Sequence, residues 1–402
     1  MGAMEDRSSK QAGAGLVAHL HDDLLVEILS RVPAKSVCRF KCVSKAWLDL
    51  IAGPDHRKKL RQPMQGLIYM NPEKDRHSFS FLDLPLTVGS VPLDVADPAG
   101  FISYLTEQPG IHRLVLLDSC NGLILFQHLM ELPHYNSLGY VVCNPTTKQW
   151  RAVPEPDCSS HVPMNYTYLA FDPTVSSHFH LVRFKKNREY MEPMSTHAYS
   201  SKTGIWTYSQ TVKEEEEWQN QVYLSISNRC AFVNGFLHLL VWGSNKMQIL
   251  IVDVQGRPRR MIRLPDAAAG NCEGCYCVYF GQSQGHMHCI TKQLFDFNEE
   301  KYELSIWALQ DYDAQEWVLK DTVSSLQLFG GNCPTSVALE LYSEVASMHL
   351  DRNVVFFFSH CERRFIAYDM DSKEVSVFSS SKAIHRWKVG CYVPCFSLAP
   401  LK

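Results

Sequence analysis

A polar turn followed by a hydrophobic strand recurs at nearly constant spacing through most of this chain. The copies read CNPTTKQW, YSSKTGIW, VDVQGRPRRMI, QDYDAQEW and YDMDSKEV. When they are aligned at Trp150, Trp206, Arg260, Trp317 and Val375, successive copies lie 56, 54, 57 and 58 residues apart. A repeat of this length is typical of stacked supersecondary units, each of which buries its hydrophobic face only against its neighbours. The spacing therefore favours a repeat architecture.

The residues within each unit predict β-sheet. Short apolar runs such as GLILF, FHLVRF and NVVFFF alternate with turns, and helical periodicity largely disappears. Each unit has room for four strands, which is the content of a propeller blade, and a Trp or Val after the turn would fill the space between blades. Some 335 residues at about 56 per unit predict about six blades. A β-sandwich with coincidental spacing is the alternative.

The two ends of the repeat region differ from its middle. The earliest unit, GLIYMNPEKDRHSFSFLDLP, is degenerate, and the last phrase, YVPCFSLAPLK, reads as a strand that returns to close the ring. Closure of the ring by a terminal strand would remove exposed sheet edges.

The segment from residue 20 to residue 60 has a different pattern and predicts three short helices. Asp22 is a candidate N-cap for the first helix, Pro33 separates the first two helices, and Ser44 is a candidate N-cap for the third. The apolar positions follow helical spacing; they are Leu24, Leu25, Ile28, Leu29, Val32, Val37, Phe40, Cys42, Val43, Trp47, Leu50 and Ile51. A unit this small cannot bury them all, so it is either part of a larger core or a docking surface for another protein.

The wording DLLVEILSRVPAKSVCRFKCVSKAWLDLI resembles the F-boxes of large plant families through all three helices. Two positions depart from that pattern: His21 stands where proline is usual, and His56 where an aromatic residue is usual. The resemblance implies that this segment binds a Skp-family adaptor and, through it, a cullin scaffold. The adaptor contacts that it implies are Leu20, Leu24, Ile28, Leu29, Val37, Cys42, Val43 and Trp47.

The repeat region is also similar to the plant F-box-associated, kelch-like domains. Matching phrases occur in the family's order along the chain; they include SCNGLILF, LAFDPTVSSHFHLV, YSSKTGIWTYSQ and LSIWALQDYDAQEWVLK. The only double glycine, Gly330-Gly331, is not placed like a kelch signature. The predicted fold is mainly β with a small α domain: a disordered tail over residues 1–18, a three-helix F-box over 19–62 and a β-propeller over 63–402.

Composition narrows the function classes. The net charge is −3 and the pI about 6.6, which gives no indication of nucleic acid or an anionic membrane as partner. No apolar run approaches the roughly 18 residues of a membrane span. The chain has 14 cysteines and its first residues lack an apolar signal core, which predicts reduced thiols and a cytoplasmic or nuclear location.

Candidate reactive groups are few. Cys272, Cys275 and Cys277 lie near His286, His288 and Cys289, but their spacing is not that of a zinc site, so we expect no metal. Four aspartates, Asp172, Asp253, Asp311 and Asp369, recur after strands, where Asp bonds the local backbone of a turn. No nucleophile elbow, phosphate loop or dinucleotide motif is present. We therefore predict no catalytic residues and no cofactor.

Two charged segments are predicted to be exposed to solvent, the first in a loop between blades and the second in a turn. Glu214 to Glu217 form an acidic run that could recognise a basic segment, and GRPRRMIR, from Gly256 to Arg263, could bind an acidic or phosphorylated motif.

Together with the resemblance, these observations predict the substrate-recognition subunit of an SCF-type ubiquitin ligase. The propeller would hold an unidentified target protein near a ubiquitin-charged enzyme supplied by other subunits. Two alternatives remain open: a protein-interaction platform that binds the adaptor without promoting ubiquitination, and a propeller enzyme that acts on sugars or small metabolites and would require carboxylates in its central channel.

Overall fold

The structure is a computed structural model that describes residues 20–401 with gaps. The residues outside the description are 33, 54–55, 57–58, 61–62, 72–77, 85–97, 112, 130–137, 157–164, 186–194, 210–222, 225–229, 243–245, 267–274, 297–300, 330–344, 360–363, 379–388 and 396–400, together with 1–19 and 402. The acidic run at Glu214 to Glu217, Gly330-Gly331 and the predicted N-terminal tail therefore lie outside the described residues.

Three helices form the N-terminal region: α1 (Asp22–Ser30), α2 (Ala34–Phe40) and α3 (Lys45–Ala52). The rest of the described chain is mainly antiparallel sheet. Two strands come first, β1 (Gly66–Asn71) and β2 (Ser78–Asp83), followed by a helix, α4 (Pro98–Thr106). The prediction of a mainly β chain with a small helical start is confirmed.

Five sheets follow in chain order, and we number them blades 1 to 5; blade 3 has five strands and the other four have four each. Blade 1 holds β3 (Arg113–Cys120), β4 (Leu123–Leu129), β5 (Tyr140–Asn144) and β6 (Gln149–Val153). Blade 2 holds β7 (Asn165–Ala170), β8 (His180–Lys185), β9 (Ser195–Ser200) and β10 (Ile205–Ser209). Blade 3 holds β11 (Tyr223–Leu224), β12 (Cys230–Val233), β13 (Phe236–Trp242), β14 (Met247–Val252) and β15 (Pro258–Arg263), where β11 and β12 both pair with β13.

Blade 4 holds β16 (Cys275–Ser283), β17 (His286–Asp296), β18 (Lys301–Asp311) and β19 (Glu316–Ser324), and a short helix, α5 (Ser325–Phe329), follows it. Blade 5 holds β20 (Val345–Met348), β21 (Val354–Ser359), β22 (Arg364–Asp369) and β23 (Val375–Phe378). The last strand, β24 (Val389–Tyr392), pairs with β1, and together with β2 these strands form blade 6.

The blades close into a six-membered ring. One strand of each blade lies innermost: the first strand in blades 1, 2, 4 and 5, β12 in blade 3 and β24 in blade 6. These strands contact one another in the cyclic order β3, β7, β12, β16, β20, β24 and back to β3. The C-terminal strand completes the blade that the earliest strands begin, with Gly66 opposite Tyr392. The predictions of six blades, a degenerate first unit and a returning terminal strand are confirmed. The terminal strand was predicted over YVPCFSLAPLK, which begins at Tyr392, but β24 ends at that residue.

Helix α4 is a feature that the sequence pattern did not predict. It packs against β2, on the side where the other blades carry their fourth strand. Phe101, Ile102 and Leu105 are buried there and join the core between blades 6 and 1. Their spacing is helical, but the segment is one turn shorter than the lengths at which such periodicity is distinctive.

The recurring turns join the third and fourth strands of successive blades, and every aligned residue lies on the outer strand. Their first residue is the predicted turn former: the Oδ1 atoms of Asp253, Asp311 and Asp369 each accept two backbone N–H groups two to four residues ahead. Asp172 accepts the N–H of Thr174 in the same way, at 2.8 Å. The predicted structural role of these four aspartates is confirmed.

The two ends of the ring carry different connections. In an antiparallel four-stranded blade, the turns between strands one and two and between strands three and four lie at one end of the sheet. Several of these turns are two residues long, as in Asn121-Gly122 and Asn234-Gly235, although the one in blade 2 spans residues 171–179. The helical region joins the propeller at this end, because β1 starts beside the end of β24. We call it the turn face and the other end the loop face.

Candidate adaptor-docking surface

The three helices have a small hydrophobic core of their own. Val26, Leu29, Val37, Leu50 and Ile51 are buried together. Half-buried side chains surround them; these are Leu25, Val32, Phe40, Trp47 and Leu60. The ring of Trp47 meets that of Phe40 edge to face, with centroids 5.4 Å apart. All of the described side chains in this core belong to residues 25–60, so the helices are held together by their own residues.

Helix α1 is apolar on two sides. Val26 and Leu29 face the core, whereas Leu24 and Ile28, one turn apart on another side of the helix, remain 54% and 52% exposed. Leu20, just before α1, is 40% exposed, and Val43, in the turn before α3, is 63% exposed. We call Leu20, Leu24, Ile28 and Val43 the exposed apolar set. Covering these exposed apolar side chains with a partner protein would remove them from water and stabilise the complex.

The remaining predicted contact residues divide into two groups. Cys42 is exposed, and Trp47 is half-buried, so both offer surface to a partner. Leu29 and Val37 are only 1% exposed and belong to the helices' own core. In this arrangement Leu29 and Val37 hold the helices together and present no surface to a second chain.

The helix starts are partly as predicted. The Oγ of Ser44 accepts the N–H of Trp47 at 3.2 Å, which confirms Ser44 as the N-cap of α3. The prediction of Asp22 as the N-cap of α1 was wrong, because His21 takes that position and makes no side-chain capping bond. Asp22 and Asp23 instead lie in the first turn, where their charges complement the helix dipole.

The other chemistry considered from the sequence has structural roles. The prediction of a turn over Gly256 to Arg263 was wrong from Pro258, because β15 begins there. Arg259, on β15, pairs with Asp253 at the start of the preceding turn at 2.6 Å, and Arg260 pairs with Asp313 of the next blade at 2.8 Å. In the part of the chain that the structure describes, no group of three metal-binding side chains is present. Cys277 and Cys289 are buried with their sulfurs 3.4 Å apart, and Cys272 lies outside the description.

The innermost strands do not bring carboxylates together. Among the described residues of these six strands, Asp118 is the only carboxylate. Its Oδ1 accepts the N–H of Ser119 and its Oδ2 accepts the N–H of Leu169 in the next blade. This carboxylate therefore joins blades 1 and 2, which gives no support to the propeller-enzyme alternative.

Comparison with known proteins agrees with this architecture. Residues 18–59 match the F-box domain, and residues 94–396 match the β-propeller of the F-box protein At3g26010-like family. Neither matched family is a catalytic domain. Within the described residues, no helix has the length and apolar character needed to cross a membrane.

Relatives from Arabidopsis thaliana match most of the chain. The F-box protein At5g07610 is 24% identical over 83% of this chain and 76% of its own length. The putative F-box/kelch-repeat protein At4g22430 is 25% identical over 92% of this chain and 82% of its own length. The chain belongs to the family of F-box proteins that carry an At3g26010-like β-propeller.

Proposed function

We propose that this protein is the substrate-recognition subunit of an SCF-type ubiquitin ligase. An F-box implies binding of a Skp-type adaptor, and through the adaptor a cullin scaffold. The propeller would bind a target protein and hold it near the ubiquitin-charged enzyme, which raises the effective concentration of the reacting groups. In this role no residue of the chain performs covalent chemistry.

The observation that carries the proposal is the exposure of Leu24 and Ile28 on a helix whose opposite side is already buried. A helix with one apolar side in its own core and a second in water is suited to bind in a hydrophobic groove of another protein. Burial of an aliphatic side chain contributes about 1.5–3 kcal/mol before the costs of association. We propose that the exposed apolar set, Cys42 and Trp47 contact the adaptor, and that Leu29 and Val37 support them from below.

Co-purification tests the proposal at the level of the complex. The full chain, tagged at its C-terminus, is expected to retain the Skp-type adaptor and the cullin, and a version lacking residues 20–60 is expected to lose both. Retention of both by the shortened chain would contradict the role of the helices. Retention by neither chain would contradict membership of the ligase.

The alternative of an interaction platform without degradation shares the adaptor contact. A reconstituted ligase that attaches ubiquitin to a protein bound by the propeller supports the receptor role. A complex that binds such a protein and leaves it unmodified favours the platform.

A further inference from the structure

The contact between blades 1 and 2 changes from apolar to polar towards the loop face. Val142, Val153, Leu169 and Leu181 are fully buried in this contact. Each of these four residues has a polar residue two positions away along the chain, on the side of the loop face. We call the four polar residues the polar layer; they are Tyr140, Glu155, Thr167 and Arg183.

Arg183 is the unusual member of the polar layer. It lies on β8, the second strand of blade 2. In this blade the strand pair next to the hairpin turn is Ala170 with His180, and Arg183 follows His180 by three residues. The equivalent position, three residues after the pair next to the turn, is Phe126 in blade 1, Leu239 in blade 3 and Cys289 in blade 4. All three side chains are fully buried. Arg183 is only 3% exposed, so a guanidinium occupies a place that three other blades fill with an apolar side chain.

The hydrogen-bonding capacity of Arg183 is not used within the described protein. Its Nη2 lies 3.7 Å from Oε2 of Glu155, an ion pair beyond hydrogen-bond distance. The described residues offer its five N–H groups no hydrogen bond. A single carboxylate at 3.7 Å replaces few of the hydrogen bonds that a guanidinium makes in water, so a better-placed acceptor would stabilise Arg183.

Tyr140 supplies a second unused donor in the same place. Its Oη accepts the hydroxyl of Thr167 at 2.9 Å, which leaves the phenolic proton available to donate. Burial raises the pKa of Tyr140, and the nearby Arg183 opposes that rise, so the phenol is protonated at neutral pH. No described side chain accepts that proton.

Glu155 connects the polar layer to solvent. Its side chain is 28% exposed, whereas that of Arg183 is 4% exposed, so the carboxylate lies nearer the surface than the guanidinium. Because Glu155 makes no hydrogen bond to Arg183, its rotation into water exposes the guanidinium without breaking one. A carboxylate from outside can then approach Arg183 in the bidentate geometry that Glu155 does not reach.

We propose that the polar layer binds a carboxylate of a partner protein, held by Arg183 through two N–H groups and by the hydroxyl of Tyr140. Glu155 is the internal group that the ligand displaces. A carboxylate that replaces Glu155 leaves the local charge unchanged, whereas a phosphate dianion adds a second negative charge. The inference rests on the proposed role of the propeller in binding a target protein.

The test uses the full chain and acetate as the probe, with chloride and inorganic phosphate at the same ionic strength. A ligand that binds only the folded protein raises the unfolding midpoint in proportion to its affinity, so the midpoint gives the dissociation constant. Acetate is expected to raise the midpoint more than chloride does, and Arg183→Met is expected to abolish the difference. A phosphate shift larger than the acetate shift would overturn the choice of a carboxylate.

Two milder variants decide the question even if Arg183→Met does not fold. Glu155→Gln removes the competing carboxylate and is expected to lower the acetate dissociation constant at least about threefold, while Tyr140→Phe is expected to raise it about fivefold. A purely structural ion pair predicts the opposite for Glu155→Gln: lower stability with no tighter binding. Adaptor co-elution, measured on the same preparations, tests the ligase role separately, because it does not depend on acetate.

Discussion

The indole N–H of Trp206 donates a hydrogen bond of 2.8 Å to the carbonyl oxygen of Pro154 in the preceding blade. Trp317 makes the same contact two blades later, with the carbonyl of Arg263 at 2.9 Å. Both tryptophans follow the recurring turn on the outer strand of their blade. The repeat that is visible in the sequence therefore joins each of these blades to the one before it, which confirms the predicted place of Trp206 and Trp317 between blades.

Removal of this inter-blade hydrogen bond is expected to destabilise the propeller modestly. Trp206→Phe keeps an aromatic ring and loses the donor, so the free energy of unfolding is expected to fall by about 0.5–1.5 kcal/mol for the bond, in addition to the smaller ring. Trp150→Phe is the matched control, because the indole of Trp150 makes no hydrogen bond to the described residues and lies at the aligned position. Equal losses for the two variants in urea unfolding would show that the bond contributes nothing.

Substitution of Gly122 is expected to destabilise the protein more than substitution of Gly285, because only Gly122 is packed against another segment. Both lie in hairpin turns with positive φ, at +93° and +76°, so alanine is strained at either position. A Cβ on Gly122 would also collide with the Cβ of Cys395 and the carbonyl of Val393, in the segment that follows β24, whereas a Cβ on Gly285 has open space.

Gly285→Ala is therefore expected to cost about 1 kcal/mol of stability, and Gly122→Ala several times more, because the C-terminal segment must move. Thermal unfolding of the two variants measures the difference. A cost for Gly122→Ala no greater than that for Gly285→Ala would contradict the packing of the C-terminal segment against blade 1.

Stability is expected to fall on acidification below about pH 6.5. Burial lowers the pKa of His238, His288 and His349 from 6.5 to about 4 each. Between these values the unfolded chain takes up protons that the folded chain does not, so each histidine removes up to about 1.4 kcal/mol of stability per pH unit as the pH falls. The stabilising effect of the neutral histidines is fully present above pH 6.5.

Urea unfolding at pH 7.5, 6 and 5 measures how the free energy of unfolding depends on pH. His288→Asn removes one of the three buried histidines and is expected to remove about one third of the pH dependence that they cause. A slope in the variant that equals the slope of the unchanged chain between pH 6.5 and 5 would show that His288 is not a buried neutral group.

The sequence predicted the ring better than it predicted the surfaces. Turns need particular residues at fixed places, so Asp253, Asp311 and Asp369 mark the blades even where the strands vary. Arg260, aligned with the tryptophans, contacts a neighbouring blade as well, but it is the following blade, through Asp313. These features depend on local backbone geometry, which a single sequence displays.

Features that depend on which side of an element is covered could not be predicted in the same way. Leu24 and Leu29 are both leucines on α1, and only the packing of α2 and α3 decides that Leu29 is buried and Leu24 is not. Arg183 in FHLVRF looks like a strand residue at an exposed position, because burial of an arginine between blades has no local signal.

The dissociation constant of the Skp-type adaptor from the intact chain shows whether α1 is the adaptor-binding surface. Ile28→Ala is expected to weaken binding about tenfold or more with little change in the unfolding midpoint, because the side chain is exposed until the adaptor covers it. Leu326→Ala, which truncates a leucine that is 61% exposed on α5 of the propeller, is the matched control and is expected to bind as the unchanged chain does. Equal dissociation constants for Ile28→Ala, Leu326→Ala and the unchanged chain would contradict the assignment of α1 as the adaptor-binding surface.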